Sequence, residues 1–129
     1  MLYNWQAVDN SSGICPQGWH VPTSQEYSNL ATELGSNAAA KLKETGTTHW
    51  TSESAGTSNS SGFTALPAGF RSYSTGTYAD LGTYTYFWSS NYYSSSKATF
   101  RYLIHNSSST FGLVNNWKNY GFSVRCLKD

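Results

Sequence analysis

The second half of the chain is built from short apolar runs at regular spacing, and this pattern restricts it to β structure. From Phe63 onward, Pro67 and five glycines separate segments rich in Tyr, Phe, Thr and Val. Runs of this kind, bounded by turn residues, are typical of strands. The clearest strands are predicted at 98–105 and 120–127. This half of the chain should therefore form a sheet.

The strand predicted at 98–105 has one apolar face and one mixed face, because successive side chains point to opposite sides of a strand. The apolar face, which we expect to pack inward, consists of Ala98, Phe100, Tyr102 and Ile104. The mixed face, which we expect to be exposed, carries Thr99, Arg101, Leu103 and His105. This assignment places an arginine and a histidine on the surface of the sheet.

The first half of the chain carries helix signals instead. The segment Thr23–Glu26 forms a capping box, which is a common start of a helix. Apolar residues then recur with helical spacing, and Gly35 supplies a stop. A second, shorter helix is predicted at 37–44. The segment 47–62, rich in Ser, Thr and Gly, is predicted to be a surface loop with Trp50 as its anchor.

The composition limits the kinds of partner that the chain can bind. Charged residues make up 12% of its 129 residues, about half the usual share, whereas aromatic residues make up 16%. The formal net charge is +1 and the Lys and Arg residues do not cluster, so we expect no nucleic-acid partner. A composition rich in Tyr, Ser, Asn and Gly resembles an antibody binding site more than a metabolic enzyme. The length fits a single domain over residues 1–129.

Several features suit an exported protein. No stretch approaches the roughly 18 apolar residues of a membrane helix, so direct membrane insertion is not expected. The sequence opens on a strand-like segment, LYNWQAV, without a signal peptide. We interpret it as part of a longer protein, secreted or at the cell surface, whose targeting signal lies elsewhere or is removed. Cys15 and Cys126 form either a disulfide or two buried thiols in a reducing compartment, and the low charge favours the disulfide.

Five motifs occur in a fixed order along the chain: YNWQAV, CPQGWHVPTSQEY, GFTALPAGFR, FWSS and YGFSVRC. Together they resemble the Fibrobacter succinogenes major paralogous domain family, over residues 3–127. That family is similar to the C-type lectin-like fold, in the branch that holds formylglycine-generating enzymes and the variable proteins of diversity-generating retroelements. The resemblance implies an α+β fold, with two helices followed by a twisted antiparallel sheet with long loops. It also implies adjacent terminal strands, which would bring Cys15 and Cys126 together in a disulfide.

The sequence offers no constellation for catalysis or metal binding. Formylglycine-generating enzymes use reactive cysteines late in the chain, where this sequence has only Cys126. No two of the seven carboxylates are spaced for acid–base chemistry, and there is no nucleophile elbow. The histidines lack the spacing of a zinc site, and the calcium-binding triplets of sugar-binding C-type lectins are missing. We therefore expect no catalytic residue, no metal and no cofactor.

The stretch FWSSNYYSSS, residues 87–96, combines four large rings with a run of serines and no charge. We predict that Phe87 and Trp88 are core residues and that a tight turn at 89–91 precedes displayed rings. Displayed rings stack on sugars or peptides, and flanking Asn side chains fix the orientation of the ligand. The predicted binding surface for a protein or a glycan consists of Tyr92, Tyr93, Arg101, Leu103, His105, Asn106, Trp117, Asn119 and Tyr120.

These observations favour a non-enzymatic ligand-binding module. The resemblance adds a more specific hypothesis, because in the retroelement-diversified relatives the Asn codons of this C-terminal stretch are mutated, with Asn, Tyr, Ser and His among the outcomes. Two alternatives stay open. One is a structural or adhesive module of a surface assembly without a discrete pocket, and the other is an enzyme of the formylglycine-generating type. The sequence does not fix the oligomeric state.

Overall fold

The computed structural model describes residues 1–129, and its helices precede all but one short strand. The three helices are α1 (Trp5–Val8), α2 (Ser24–Leu34) and α3 (Ala38–Leu42), with a 3₁₀ turn at Gly35–Asn37 between the last two. The strands are β1 (Trp19–His20), β2 (Phe70–Arg71), β3 (Tyr78–Ala79), β4 (Tyr84–Tyr92), β5 (Lys97–Ile104), β6 (Phe111–Trp117) and β7 (Leu127–Lys128). The chain is therefore α+β, as predicted, and α2 and α3 are the two predicted helices.

All three sheets are antiparallel. The largest has the order β4–β5–β6, and β2–β3 and β1–β7 are two-stranded ribbons. The β1–β7 ribbon joins the first strand of the chain to the last. Beside it, Cys15 and Cys126 form a disulfide, with their Cα atoms 5.8 Å apart. The disulfide that the resemblance implied is confirmed.

The capping box starts α2 as the sequence predicts. The Glu26 N–H donates to the Thr23 hydroxyl at 3.1 Å, and the Thr23 N–H donates to the Glu26 carboxylate at 2.8 Å. Two of the N–H groups that a helix start leaves unpaired are satisfied in this way. The helix stops at Gly35, whose φ of 74° lies in the left-handed region that favours glycine. Helix α3 is shorter than predicted, because Lys43 already adopts an extended conformation.

One face of the three-stranded sheet packs against α2, and we call it the helix face. Here Phe87, Leu103 and Phe111 pack with Tyr27 of α2. The rings of Tyr27 and Phe111 meet edge to face, with 5.9 Å between their centroids. Trp50 belongs to the same cluster and donates its indole N–H to the Ala65 carbonyl at 3.0 Å. The predicted role of Trp50 as the anchor of the 47–62 segment is confirmed.

The opposite face, which we call the aromatic face, holds a second buried cluster. Trp88 and Phe100 pack around Phe122, and the Trp88 and Phe122 ring centroids lie 4.4 Å apart. Trp88 is 0% exposed and donates its indole N–H to the Tyr3 carbonyl at 2.8 Å. Trp5 of α1 closes the cluster. Both faces of the sheet therefore carry a buried cluster.

Two sequence predictions about this sheet are wrong. No turn occurs at 89–91, because β4 continues to Tyr92 with an irregular register after Trp88, and the chain reverses at residues 93–96. The segment 120–127 is not one strand either. Its residues form isolated bridges with three different segments, which are Tyr3↔Phe122, Arg71↔Gly121 and Phe87↔Ser123. Because consecutive residues of this segment pair with three different segments, it cannot form a long ladder with any one of them.

A buried lysine forms hydrogen bonds that hold the loop after β5 in place. Lys43 is 2% exposed, and its ammonium group donates to oxygens of Ser54, Ile104, His105 and Ser107 at 2.8–3.0 Å. Burial lowers the pKa of this group to about 8, and the nearby Glu53 carboxylate acts in the opposite direction. Hydrogen bonds to several oxygens are what a buried ammonium needs to offset the loss of water.

None of the helices combines the length and the apolar character that a membrane-crossing segment requires.

Candidate ligand-binding surface

Large exposed rings and two lysines meet at one end of the three-stranded sheet. We call this group the aromatic rim, and it consists of Tyr92, Tyr93, Lys97, Trp117 and Lys118. Tyr92 is 70% exposed, Tyr93 is 64% exposed and Trp117 is 42% exposed. The stretch FWSSNYYSSS is thus divided between a buried half and an exposed half, as predicted.

On the helix side of the sheet, the rim is a row that runs from Tyr93, just after β4, across β5 to β6. The Tyr93 N–H donates to the Lys97 carbonyl at 2.8 Å, and Lys97 faces Trp117 in the β5–β6 ladder. The Lys97 ammonium lies 5.0 Å from the centre of the Trp117 ring. A cation–π contact of this kind contributes roughly 0.5–1 kcal/mol at an exposed site. It favours one orientation of the indole ring.

The other side of the rim is organised around Lys118. Its N–H donates to the Ser96 carbonyl at 3.0 Å, and its carbonyl accepts from the Trp5 N–H at 2.8 Å. The Lys118 ammonium lies 4.5 Å from the Trp5 ring centre and 5.6 Å from the Tyr92 ring centre. The same lysine therefore links the rim to the buried aromatic face.

No carboxylate pairs with either lysine of the rim. Every ion pair within 4.0 Å in the molecule has a histidine as its cation, so neither Lys97 nor Lys118 has a carboxylate partner. An ammonium group over a ring loses part of its hydration without losing its charge. The rim is consequently both aromatic and cationic.

The serines between β4 and β5 support the backbone of the rim. The Ser94 N–H donates to the Lys97 carbonyl at 3.0 Å, and the Lys97 N–H donates to the Ser94 hydroxyl at 3.1 Å. Side-chain hydroxyls that bond nearby backbone groups stabilise tight reversals. The serine run thus holds the hairpin that presents Tyr92 and Tyr93.

Arg101 and Leu103 lie in the core, so the prediction that they are exposed is wrong. Leu103 is 0% exposed and Arg101 is 7% exposed, because α2 covers the face that the alternation marked as mixed. The Arg101 guanidinium donates to the Phe111 carbonyl at 2.8 Å and to the Ser28 hydroxyl at 2.7 Å. Burial lowers its pKa. Arg101 therefore links α2 to β6, and a ligand cannot reach it.

His105 and Asn106 lie at the opposite end of β5. The His105 Nδ1 atom is 2.6 Å from the Ser52 hydroxyl. A strand rises about 3.3 Å per residue, so the seven steps from Lys97 to Ile104 span roughly 23 Å. A small ligand at the rim does not reach these two residues.

Asn119 borders the rim, whereas Tyr120 belongs to the aromatic face. The Asn119 side-chain oxygen accepts from the Gln6 amide at 3.0 Å, next to α1. The Tyr120 ring stacks on Phe122 at 5.7 Å between centroids and is partly buried. Of the nine predicted residues, the structure brings together Tyr92, Tyr93, Trp117 and Asn119.

The sequence matches the Fibrobacter succinogenes major domain over residues 1–128. The chain belongs to this family. Neither a curated protein nor a solved structure matches it. The matched range includes the whole rim and both cysteines of this Fibrobacter succinogenes major domain.

Sequence reasoning missed the two lysines of this domain. Lys118 follows Trp117 directly, but the sequence does not show that its side chain reaches Trp5 and Tyr92. Lys97 was detectable, because an antiparallel β5–β6 pair places the first residue of β5 opposite Trp117, the last residue of β6. The signal was the pairing register rather than any local motif.

A second polar cluster in this domain connects β1 to α2. The His20 Nδ1 atom lies 2.6 Å from an Asp129 carboxylate oxygen, and its Nε2 atom lies 3.0 Å from Glu26. The hydrogen bond with Asp129, followed by that with Glu26, raises the pKa of His20. The Thr23 N–H lowers the pKa of Glu26. No group of three or more His, Cys, Asp or Glu side chains is arranged to hold a metal ion.

Proposed function

We propose that this domain is a non-enzymatic ligand-binding module of an exported or cell-surface protein, and that the aromatic rim binds a protein or a glycan. One observation carries the proposal. Three exposed rings and two lysines without carboxylate partners are concentrated at one end of a sheet whose ladders fix their backbone positions.

Exposing these rings does not stabilise the domain. Burial of apolar surface contributes about 25 cal/mol per Å², and the rim leaves much of that surface in water. Tyr and Trp have only two side-chain torsions, so an exposed ring binds a partner at a low entropic cost. The lysines add attraction for an acidic group on the ligand. The same arrangement suits the apolar face of a sugar or a side chain of a protein.

The C-type lectin-like fold and an exported location belong to the same proposal. Support for the fold comes from the order of elements, with helices first and the main sheet later, and from the β1–β7 pairing that joins the two ends of the chain. Support for the location comes from the Cys15–Cys126 disulfide, since disulfides persist mainly in oxidising compartments.

The proposal is tested by screening glycan and protein arrays with the wild-type domain and a triple variant. The triple variant is Tyr92→Ala, Tyr93→Ala and Trp117→Ala, and Tyr78→Ala serves as a matched control because Tyr78 is 72% exposed on a different sheet. We expect the triple variant to lose at least about tenfold in affinity for any ligand found, or ~1.4 kcal/mol, while its melting temperature changes little.

Two outcomes would overturn this assignment. If the triple variant binds as tightly as the wild type, the ligand uses another surface. If the triple variant unfolds at a much lower temperature than the wild type and the Tyr78→Ala control, the rings support the fold instead of a ligand.

A narrower form of the proposal is that the domain is a variable protein of a diversity-generating retroelement. The Tyr, Asn and Ser content of the region around the rim supports it. The test is genomic. A reverse-transcriptase gene next to a near-copy of the DNA that encodes residues 86–125 is expected, and its absence would remove this narrower form while leaving ligand binding to be tested separately.

A further inference from the structure

The two outer edges of the three-stranded sheet differ in whether other parts of the chain cover them. Along β4, the backbone bonds outward to three segments: the Gly69 N–H donates to Tyr84, the Trp88 N–H donates to Ser123, and the Ser90 N–H donates to Pro22. Along β6, no other strand follows, because β6 ends the order β4–β5–β6. The fold thus closes one edge and leaves the other open.

The open edge presents both a free N–H and a free C=O group at two residues, Leu113 and Asn115. The Lys118 N–H donates to the Ser96 carbonyl, and bonded pairs alternate along an antiparallel ladder. Within β6, the N–H and C=O groups of Leu113 and Asn115 therefore point away from β5. Trp117 also points outward, but its N–H is already bonded to the Asn116 side chain and its carbonyl to the Tyr120 N–H.

The side chains of β6 do not discourage another strand from pairing with this edge. Natural sheets discourage edge pairing with charged residues, proline or bulges. The seven residues FGLVNNW contain no charge and no proline, and their pairing with β5 is continuous. Leu113 is 46% exposed and Val114 is 44% exposed. An uncharged, apolar and regular edge favours the addition of another strand.

We infer that the occupant of this edge is β6 of a second copy of the chain, paired antiparallel about a twofold axis at Val114. In this register, Leu113 of each copy faces Asn115 of the other. Each such pair exchanges two backbone hydrogen bonds, so the N–H and C=O groups of Leu113 and Asn115 are satisfied in both copies. Val114 meets Val114 of the second copy on the axis. The result is a continuous six-stranded sheet.

The distribution of charge is compatible with a second copy and favours the antiparallel direction. The cations near β6, Lys97 and Lys118, both lie at its C-terminal end. A parallel arrangement would bring the lysines of the two copies together. The antiparallel arrangement places them at opposite ends, next to the uncharged residues that precede Phe111. No like charges then face each other across the pair.

The size of the edge sets the expected affinity. Stable complexes usually bury about 1,200–2,000 Å² in total, and a seven-residue strand pair lies below that range. We therefore expect a dissociation constant on the order of micromolar to millimolar. Sedimentation velocity should show the average mass rise from 14.2 kDa toward twice that value as the concentration increases from about 1 µM to 1 mM.

Two pairs of variants test the register. Asn115→Pro removes an outward N–H from each copy, whereas Asn115→Ala retains it. Val114→Lys places two ammonium groups on the axis, whereas Val114→Thr keeps a branched side chain without charge. We expect the proline and lysine variants to remain monomeric at about 1 mM and the alanine and threonine variants to dimerise like the wild type. Melting temperatures confirm that each variant is folded.

The inference is overturned if the wild type is monomeric throughout this range, or if folded Val114→Lys dimerises as well as the wild type. Because Val114→Lys leaves the backbone intact, it decides the question even if Asn115→Pro does not fold. A monomeric wild type that binds an extended peptide, with the binding lost in Val114→Lys, would show that the edge has a different occupant. If a variant that no longer dimerises still binds a ligand at the aromatic rim, the dimer edge and the rim are independent sites.

Discussion

The strands β4 and β6 occupy equivalent positions at the two edges of one sheet, yet the chain uses them differently. Other segments return to bond β4 along its outer edge, and both faces of β4 contribute to the core through Phe87 and Trp88. Strand β6 contributes Phe111 at its start, and then leaves Val114 and Trp117 exposed. Stability is concentrated on one side of the sheet, whereas the surface available for contact lies on the other.

The difference arises from the order of the chain. The residues that bond the outer edge of β4 are Pro22, Gly69 and Ser123, and they come from three separate parts of the chain. The β5–β6 hairpin is local in sequence, and nothing that follows it returns to its outer edge. Exposed residues at such an edge are free to serve binding because the fold does not depend on them.

The largest expected effect is at β4, whose outer edge other segments cover, and which we call the covered edge. Trp88→Ala should reduce the free energy of unfolding by about 3–5 kcal/mol, because it empties a large aromatic site that has no access to water. A truncation on the open edge, Val114→Ala, should cost less than about 1 kcal/mol. Urea denaturation of both variants measures the contrast. Equal losses would show that the two edges support the fold equally.

The sequence predicted those features that depend on local spacing. The capping box at Thr23–Glu26 and the stop at Gly35 act through neighbours in the chain, so they are visible in the sequence. The burial of Trp88 was correct because its neighbour in the stretch, Phe87, is also apolar and the polar residues begin only after it. Family resemblance, rather than spacing, supplied the Cys15–Cys126 pairing.

Features that depend on distant segments were not predictable. Alternation separates two faces of a strand, but it cannot show that both faces are covered, and for that reason Arg101 and Leu103 were placed on the surface. The hydrogen bond from Arg101 to Ser28 spans 73 residues. Lys43 was missed for the same reason, since its oxygens come from Ser54 and from the loop after β5. In the candidate site, exposed rings were predictable and their lysine partners were not.

An intermediate effect is expected from the disulfide. Replacing Cys15 and Cys126 with serine should reduce the free energy of unfolding by about 2–4 kcal/mol, because the bond closes a loop that spans most of the chain. Mass spectrometry without reductant first establishes the bond, as a mass about two daltons below that of the reduced chain. Two free thiols in protein isolated under oxidising conditions would contradict it.

The same double variant tests whether the disulfide stabilises the β4 edge more than the β6 edge. Cys126 anchors the segment that bonds β4, so its loss should speed hydrogen exchange at the Trp88 N–H, which donates to Ser123 at 3.1 Å. Amides in the β5–β6 ladder should remain protected. Uniform acceleration across all three strands would show that the covered edge has no separate dependence on the disulfide.

The smallest expected effect is a pH dependence at the covered edge. His20 lies two residues before Pro22, whose carbonyl accepts from the Ser90 N–H of β4. Its hydrogen bonds with Asp129 and then Glu26 raise its pKa above the ordinary 6.5. A raised pKa means that the folded state holds this proton more tightly, so the stabilisation is complete below pH 6.5 and is lost as the pH rises through the folded value.

At low pH, protonation of Glu26 weakens its interaction with His20 and so reduces the same stabilisation. The Thr23 N–H lowers its pKa below the ordinary 4.5, so its contribution is present above that value and is lost as the pH falls through the folded pKa. The melting temperature of the wild type should therefore exceed that of His20→Gln most between about pH 5 and 6, and the difference should shrink above this range. His49→Gln is the matched control, because His49 bonds the Glu44 carboxylate at 2.8 Å away from β4. If the difference for His20→Gln instead grows above pH 7, the histidine does not contribute to the covered edge in its protonated form.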